Sequence, residues 1–369
     1  MTHDIDRKPE VLRENKNKIR VDFERTSLKE RLKAKFFSAY FFKNVVWYAF
    51  RLALLIGVAF VVIQPFITMI IQSFMAAEDF IDPTVVNVPR HLSIEIYKGV
   101  FTDLPFFGMF FKTLALSLGI AVVQTFVCCL VGYGLAKFKF RGAKLVFFAV
   151  ILTLVIPHGT LQAALFQRFR YFDILGLFKF FSGGTVTNIG WLDGILSKIK
   201  ILPFEHGLNL MESVMPLFVL ALCGLGFKNG LYIFLLRQFF RGVPDELEES
   251  AYLDGANTFR TFIQVILPIS VPMMITVFLF SFCWQWTDDF YIPLFFSATT
   301  KVNFMTHIAS NLPLPSLTSI YTNQTHSSGL FLNAMRYACG LLACTPLIIL
   351  FLFCQKYLVQ GIERSGIVG

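Results

Sequence analysis

A chain of 369 residues that is 55% hydrophobic and 15% charged, with a mean hydropathy of +0.63, lies outside the range of soluble domains and indicates a multi-pass membrane protein. The net charge of +9 does not indicate a nucleic-acid partner. Its Lys and Arg residues concentrate in the N-terminal tail and one short loop, as cytoplasmic segments of membrane proteins do. All seven cysteines lie in apolar runs, which argues against a disulfide framework or a zinc site.

Hydropathy and charge divide the chain into five segments. They are a basic cytoplasmic N-terminal tail (1–43), a first transmembrane helix (44–73), an acidic external segment (74–107), a multi-span core (108–358) and a cytoplasmic C-terminal tail (359–369). The loop Lys137–Lys144 is the most basic short loop of the chain. Because basic short loops of membrane proteins lie on the cytoplasmic side, we expect this loop to be cytoplasmic. We therefore expect both termini to be cytoplasmic.

The predicted fold class is an all-α polytopic membrane protein with about six transmembrane helices. The predicted spans are Val45–Ile71, Thr113–Ala136, Leu145–Leu165, Val214–Phe240, Val271–Phe296 and Leu332–Leu358. An external insertion (166–213) separates the third span from the fourth. We expect this insertion to contact an external partner or to shield the external mouth.

Two of these spans carry local irregularities. Pro157 and His158 interrupt the third span, either as a tolerated kink or as a break that frees backbone carbonyls for a translocation path. Gly226 and Gly230 form a G-x-x-x-G pair in the fourth span, which predicts that another helix approaches closely there.

The polar loop 241–268 interrupts the apolar second half of the chain. Pro244 suits the first turn of a helix, Gly255 suits a turn with φ > 0, and Pro268 marks the entry into the next span. This pattern predicts a short amphipathic helix, a glycine turn and a second short helix, Asn257–Leu267. Such an element is either a docking site for a soluble partner or an ordinary polar connection.

A second polar cluster lies in the outer half of the fifth span. Its members are Trp284, Trp286, Asp288 and Asp289. Aromatic rings beside polar groups suit a sugar, which needs apolar faces to stack on and partners for its hydroxyls. The alternative is an aromatic belt with acids at the external interface.

The sequence contains no catalytic or metal-binding motif with a recognisable residue spacing. The sequence lacks a G-x-x-x-x-G-K-[ST] phosphate loop, and its six histidines show no H-x-x-x-H pattern. We therefore predict a transport subunit without its own ATPase motif, with no catalytic residues, no metal site and no cofactor of its own.

The polar loop resembles the EAA loop of permease subunits in binding-protein-dependent ABC importers, whose pattern is E-A-A, three residues, G, nine residues, I-x-L-P. The matching positions are Glu249, Ser250, Ala251, Gly255, Val265, Leu267 and Pro268, and Asp254, which precedes the glycine, is the aspartate of the D-G-A that follows in the carbohydrate branch. Ser250 and Val265 depart from the pattern without changing size or shape greatly. The surrounding FLLRQFFRGVPDELEESAYLDGA resembles the maltose-type carbohydrate branch, as do HLSIEIYKGVF, GYGLAKFKFRG and QKYLVQGIERSGIVG.

This resemblance implies a type I ABC importer permease fold in a prokaryotic cytoplasmic membrane, and the region 108–358 as the ABC permease core. The implied partners are a second homologous permease, two ATPase subunits that bind ATP and Mg, an external solute-binding protein, a carbohydrate and the lipid bilayer. In the coupling role, Glu249 would supply charge, Ala251 would permit close approach, and Gly255 would make the turn. The residues from Trp286 to Phe290 resemble the W-N-[DE]-F element of this branch, but they contain one residue more than that element.

Two other functions fit the same sequence. One is an ABC importer permease for a non-sugar solute, such as an amino-sugar conjugate or a peptide. The other is a membrane-embedded enzyme or a stand-alone proton-coupled carrier that uses Asp288 and Asp289. A permease should co-purify with an ATPase, whereas a carrier would work alone.

Overall fold

The computed structural model describes residues 14–15, 18–19, 39–80, 82–85, 88–173, 208–297, 304–308 and 329–366. Two strands, β1 (Glu14–Asn15) and β2 (Lys18–Ile19), pair antiparallel in the N-terminal tail. The helices are α1 (Ala39–Ser73), α2 (Glu95–Asp103), α3 (Phe106–Lys137), α4 (Ala143–Val155), α5 (Gln162–Arg170), α6 (Met215–Leu222), α7 (Asn229–Arg241), α8 (Glu246–Leu253), α9 (Thr258–Thr261), α10 (Leu267–Trp286), α11 (Tyr291–Phe295) and α12 (Gly329–Gly366). The chain divides into two units, Met1–Thr68 and Met69–Gly369.

Four helical segments of the described chain are long and apolar enough to cross a membrane. They are Phe42–Ser73, Phe106–Lys137, Thr258–Trp286 and Phe331–Leu358. They overlap the first, second, fifth and sixth predicted spans, so a mostly helical, multi-pass fold is confirmed.

The other two predicted spans are not straight helices. In the third, α4 and the segment His158–Arg170 meet at an angle of 101°. Pro157 lies at this bend with an extended backbone, which ends α4 because proline disfavours a helical conformation in the residue before it. In the fourth, α6 and α7 are separated by a break at residues 223–228. The bend in the third span is therefore a break between two helices and not a tolerated kink.

The fifth span differs from its predicted limits of Val271–Phe296. A π-helical turn, Phe262–Ile266, joins α9 to α10, so Pro268 and Pro272 lie inside a continuous helical path and do not separate two helices. At the other end, helix α10 stops at Trp286 and the short helix α11 follows. The predicted boundary was therefore wrong at both ends. At the first end a π turn rearranges the backbone hydrogen bonds ahead of the prolines, and at the second end the helix stops at Trp286, with Thr287 as its C-cap.

Helix α3 lies at the centre of the second unit and packs against α7 and α10. Near its C-terminal end the core includes Tyr133, Phe240 and Phe262. In its middle, Ser281 of α10 donates a hydrogen bond to Gln124, and both side chains are buried. This core also includes Val243 and Ile266, so it holds both ends of the polar loop against the membrane helices.

The predicted close approach at the G-x-x-x-G pair is seen at Gly230. A Cβ at this position would lie 2.3 Å from Thr153 Oγ1 and 2.9 Å from the Val150 carbonyl oxygen of α4. Any larger side chain would therefore push α4 away from α7.

The segment predicted to be external contains a buried carboxylate. Asp79 is 3% exposed and accepts hydrogen bonds from the backbone N–H groups of Arg90 and His91, both at 2.8 Å. The His91 Nδ1 atom lies 2.9 Å from Asp79 Oδ1. The hydrogen bonds from His91 lower the pKa of Asp79, and the hydrogen bond with Asp79 and its charge raise the pKa of His91.

These two shifts predict how the segment responds to pH. The raised His91 pKa contributes stability below about 6.5, which is lost as the pH rises through the raised value. The lowered Asp79 pKa contributes stability above about 4, which is lost as the pH falls through the lowered value. We expect the protection factors of the amides in residues 74–94, which correct the exchange rates for base-catalysed intrinsic exchange, to be larger at pH 5.5 than at pH 8.5, and His91→Gln to remove most of this difference. Arg90→Gln is the control, because it removes only the exposed ion pair with Asp82, and it should keep the pH difference. An unchanged pH response in His91→Gln would contradict the pairing of His91 with Asp79.

Candidate functional site

The polar loop 241–268 has the predicted order of helix, turn and helix. Helix α8 ends in a Schellman motif, in which the Ala256 N–H donates to the Ala251 carbonyl and the Gly255 N–H donates to the Tyr252 carbonyl, both at 3.0 Å. Gly255 has φ +81°, the left-handed conformation that glycine adopts without strain. The turn at Gly255 is therefore the predicted one.

The second helix of the loop is capped by its own sequence. The Asn257 side chain accepts a hydrogen bond from the Arg260 N–H at 2.8 Å, which satisfies one of the free donors at the start of α9. The Arg260 side chain then donates to Gln264 Oε1 at 3.0 Å. Both short helices thus have defined ends at the turn.

The start of the loop is anchored to the end of α3 by Lys137. Its Nζ donates to the Val243 carbonyl at 2.7 Å and to Asp245 Oδ1 at 2.5 Å. It also lies 3.5 Å from Glu248 Oε1, and the Tyr133 hydroxyl donates to Glu248 Oε2 at 3.3 Å. Lys137 lowers the pKa of Asp245 by hydrogen bonding and by its charge.

This anchor was not predicted from the sequence. Glu248 is an acidic residue that an amphipathic helix would present on its polar face, but it is only 8% exposed. The amphipathic pattern of the loop could not identify its partners, because Tyr133 and Lys137 lie more than a hundred residues earlier in the chain.

The residues that match the EAA pattern divide into two groups. Glu249, Ser250, Asp254 and Gly255 are exposed on α8 and its turn, and Ala251 is half-buried. Leu267 and Pro268 lie instead in the first turn of α10. Leu267 packs against the core at the C-terminal end of α3, so it belongs to the support of the loop and not to its exposed surface.

Two large apolar side chains flank the turn and face away from the protein. Leu253, the last residue of α8, is 89% exposed, and Phe259, on α9, is 73% exposed. A leucine and a phenylalanine this exposed on a polar segment form a candidate contact surface. We name this surface the turn face and define it as Leu253, Gly255 and Phe259.

The cluster at Trp284–Asp289 is split by the structure. Trp286 is 1% exposed, and its Nε1 donates to the Ala343 carbonyl of α12 at 2.9 Å, which places it in the packed core. Asp288 is buried and accepts hydrogen bonds from the Phe290 N–H at 3.0 Å and the Tyr291 N–H at 2.8 Å. Asp288 thus holds the start of α11, whereas Trp284 and Asp289 are exposed.

Comparison with known proteins agrees with this architecture. Residues 128–364 match the family described as binding-protein-dependent transport system inner membrane component. The chain is 23% identical over 307 residues to the inner membrane ABC transporter permease protein YcjP of Escherichia coli strain K12, covering 83% of this chain and 91% of YcjP. It is 22% identical over 315 residues to the arabinooligosaccharides transport system permease protein AraQ of Halalkalibacterium halodurans, covering 85% of this chain and 93% of AraQ.

A solved structure gives the fold. A chain of a bacterial ABC transporter involved in the import of the acidic polysaccharide alginate is similar with a TM-score of 0.63 and 18% identity, over 87% of this chain and 99% of that chain. At this identity the similarity establishes the fold alone, and it is the permease fold expected from the sequence.

Proposed function

The chain belongs to the family of binding-protein-dependent transport system inner membrane components, and from this we propose that it is the permease subunit of an ATP-driven importer for oligosaccharides. Arabinooligosaccharides appear in the name of one relative, AraQ. The family description itself includes a binding protein, which would deliver the sugar from outside. A second permease and two ATPase subunits, which would hold ATP and Mg, complete the proposed complex.

The observation that carries this proposal is the turn face. It presents Leu253 and Phe259 on either side of the turn at Gly255, a shape that fits a groove on a soluble partner. The Lys137 anchor ties α8 to α3, so a push on the turn face would reach a membrane helix through short polar contacts. Closure of the ATPase dimer on ATP could thereby drive alternating access.

The stand-alone carrier is less well supported by the geometry. A proton-coupled carrier would need Asp288 free to gain and lose a proton on the transport path. Asp288 instead accepts two backbone N–H bonds, and a third from Gln285 Nε2 at 3.1 Å. These bonds favour a fixed capping role for this carboxylate.

The proposal is tested by purifying the protein from its native membrane and assaying the purified material in proteoliposomes. We expect an ATPase and a second permease to co-purify, and labelled oligosaccharides to accumulate only with ATP and the binding protein. Uptake of peptides or amino-sugar conjugates without uptake of oligosaccharides would reject oligosaccharides as the substrate. Uptake that needs a proton gradient and no ATPase would reject the importer.

A substitution at the turn face tests the docking surface. We expect Phe259→Asp to weaken ATPase association by about tenfold or more, since a buried aromatic anchor at an interface contributes about 2 kcal/mol or more. The measurement is the amount of ATPase that co-purifies at increasing salt concentration. Tyr171→Asp is the control, because Tyr171 is another exposed aromatic residue but lies at the end of α5. Equal ATPase recovery from Phe259→Asp and the unmodified complex would exclude Phe259 from the interface.

A further inference from the structure

The break in the fourth predicted span has an unusual backbone. Helix α6 ends at Leu222 and α7 begins at Asn229, with Lys228 in the preceding position at φ +61°. A lysine in the left-handed region is uncommon and strained, and such strain concentrates at functional sites. The 13 residues of α7 place the break about 20 Å from Arg241, well inside the thickness of a bilayer.

A cavity of about 160 Å³ opens at this break. Its polar lining consists of Thr153, His158, Lys228, Asn229 and Tyr291, and the rest of its wall is formed by leucine, isoleucine and glycine. The volume is several times the roughly 30 Å³ that one water occupies in the liquid. The cavity is therefore large enough for a small polar group.

Lys228 provides a positive charge at this cavity. Its Nζ lies 5.1 Å from the ring centroids of both Phe227 and Trp284. Within the described part of the chain, no carboxylate oxygen lies within 4 Å of this nitrogen. A lysine at membrane depth without an acidic partner is costly, so such residues are usually kept for function.

Asn229 adds hydrogen-bonding capacity. The residue is 1% exposed, and neither its side-chain oxygen nor its side-chain nitrogen has a hydrogen-bond partner in the described structure. A buried amide is normally satisfied, and here it lines the cavity beside Lys228. The N-terminus of α7 adds its positive dipole at the same place.

We infer that this cavity, formed by Lys228, Asn229 and the start of α7, is a subsite for the carboxylate of an acidic sugar, so that the substrate class is uronate-containing oligosaccharides. The inference rests on the proposed function, because it presumes a sugar that passes through this subunit. Hydroxyl groups alone would not require an unpaired cation. A phosphate carries nearly two charges and is usually met by several donors, whereas one lysine matches the single charge of a carboxylate.

The test uses the complete complex, with its ATPases, second permease and binding protein, in proteoliposomes. The probes are labelled trigalacturonate and trimannuronate, each compared with its methyl ester, which keeps the sugar skeleton and removes the charge. Lys228→Asn is the informative variant, because asparagine removes the charge and tolerates a positive φ. We expect it to lower the uptake of at least one free acid by about tenfold, as expected for a lost charge-assisted hydrogen bond, and to change the uptake of the ester less than twofold.

Two further variants separate the site from a structural role. Lys228→Arg keeps the charge and should keep most of the acid uptake, whereas Lys112→Gln, at an exposed lysine of α3, should leave both probes unchanged. Equal losses for acid and ester in Lys228→Asn would overturn the inference. Uptake of neutral maltotriose or arabinotriose by the unmodified complex, without uptake of either acid, would also overturn it while leaving the proposed function intact. Failure of every sugar would reject the proposed function itself.

Discussion

Gly255→Val is expected to lower ATP-driven uptake by about tenfold or more while the protein still inserts and assembles. A β-branched residue at φ +81° is strained by about 1–3 kcal/mol, and the turn relieves this strain by changing its backbone. That change moves Phe259 relative to Leu253, so the turn face no longer fits one groove. A loss of about 1.4 kcal/mol at this contact corresponds to the tenfold effect. The measurements are uptake and substrate-stimulated ATP hydrolysis in the same proteoliposomes.

The chain provides two matched controls for this prediction. Gly255→Asn introduces a side chain similar in size to that of valine, but asparagine tolerates the left-handed backbone conformation. This variant should therefore keep most of the uptake. Gly142, in the short loop between α3 and α4, also has a positive φ of +95° and has no neighbouring atom that a Cβ would meet. Gly142→Val therefore imposes similar strain away from the turn face, and it should leave the coupling intact. Wild-type uptake in Gly255→Val, or an equal loss in Gly142→Val, would contradict the coupling role of this turn.

The turn at Gly255 shows what sequence reasoning can predict. The glycine, the acids of α8 and the prolines that follow are local signals, and the helix, turn and helix they predict are present. The signal for each predicted span was also local, since each span was predicted from a continuous apolar run. The boundary at Pro268 failed because a π turn, which no single residue marks, carries the helix through to α10.

The supports of the site depend on contacts between distant parts of the chain. No local pattern pairs Glu248 with Tyr133 and Lys137, because the pairing depends on how α3 packs against α7. The same holds for Lys228, which the sequence shows only as one charge in an apolar span. Its position beside Trp284, and the lack of a hydrogen-bond partner in the described structure for the side chain of the neighbouring Asn229, become visible only when α7 and α10 are placed together. An isolated charge inside a span is nevertheless a signal that could have identified it.

Lys137→Met is expected to loosen α8 strongly, and more than any change at its acidic partners. Lys137 and Glu248 are 8% and 10% exposed in their side chains, so the variant leaves Glu248 as a buried charge without a cation. Removing one partner of a buried ion pair typically costs about 3–5 kcal/mol. Hydrogen exchange of the α8 amides measures this local opening directly, and a loss of about 3 kcal/mol would speed it more than about a hundredfold.

The decisive comparison for this anchor is with Glu248→Gln. Glutamine keeps an acceptor for the Tyr133 hydroxyl, and Lys137 keeps the Val243 carbonyl and Asp245, so this variant alone should change exchange by less than about tenfold. In Lys137→Met with Glu248→Gln no buried charge remains unpaired, and we expect the double variant to recover most of the protection lost in Lys137→Met. Losses that simply add in the double variant would show that the two residues act independently. Recovery of both protection and uptake in the double variant would mean that the lysine serves to neutralise Glu248, whereas recovery of protection without uptake would mean that its bonds to Val243 and Asp245 transmit the motion of the turn face to α3.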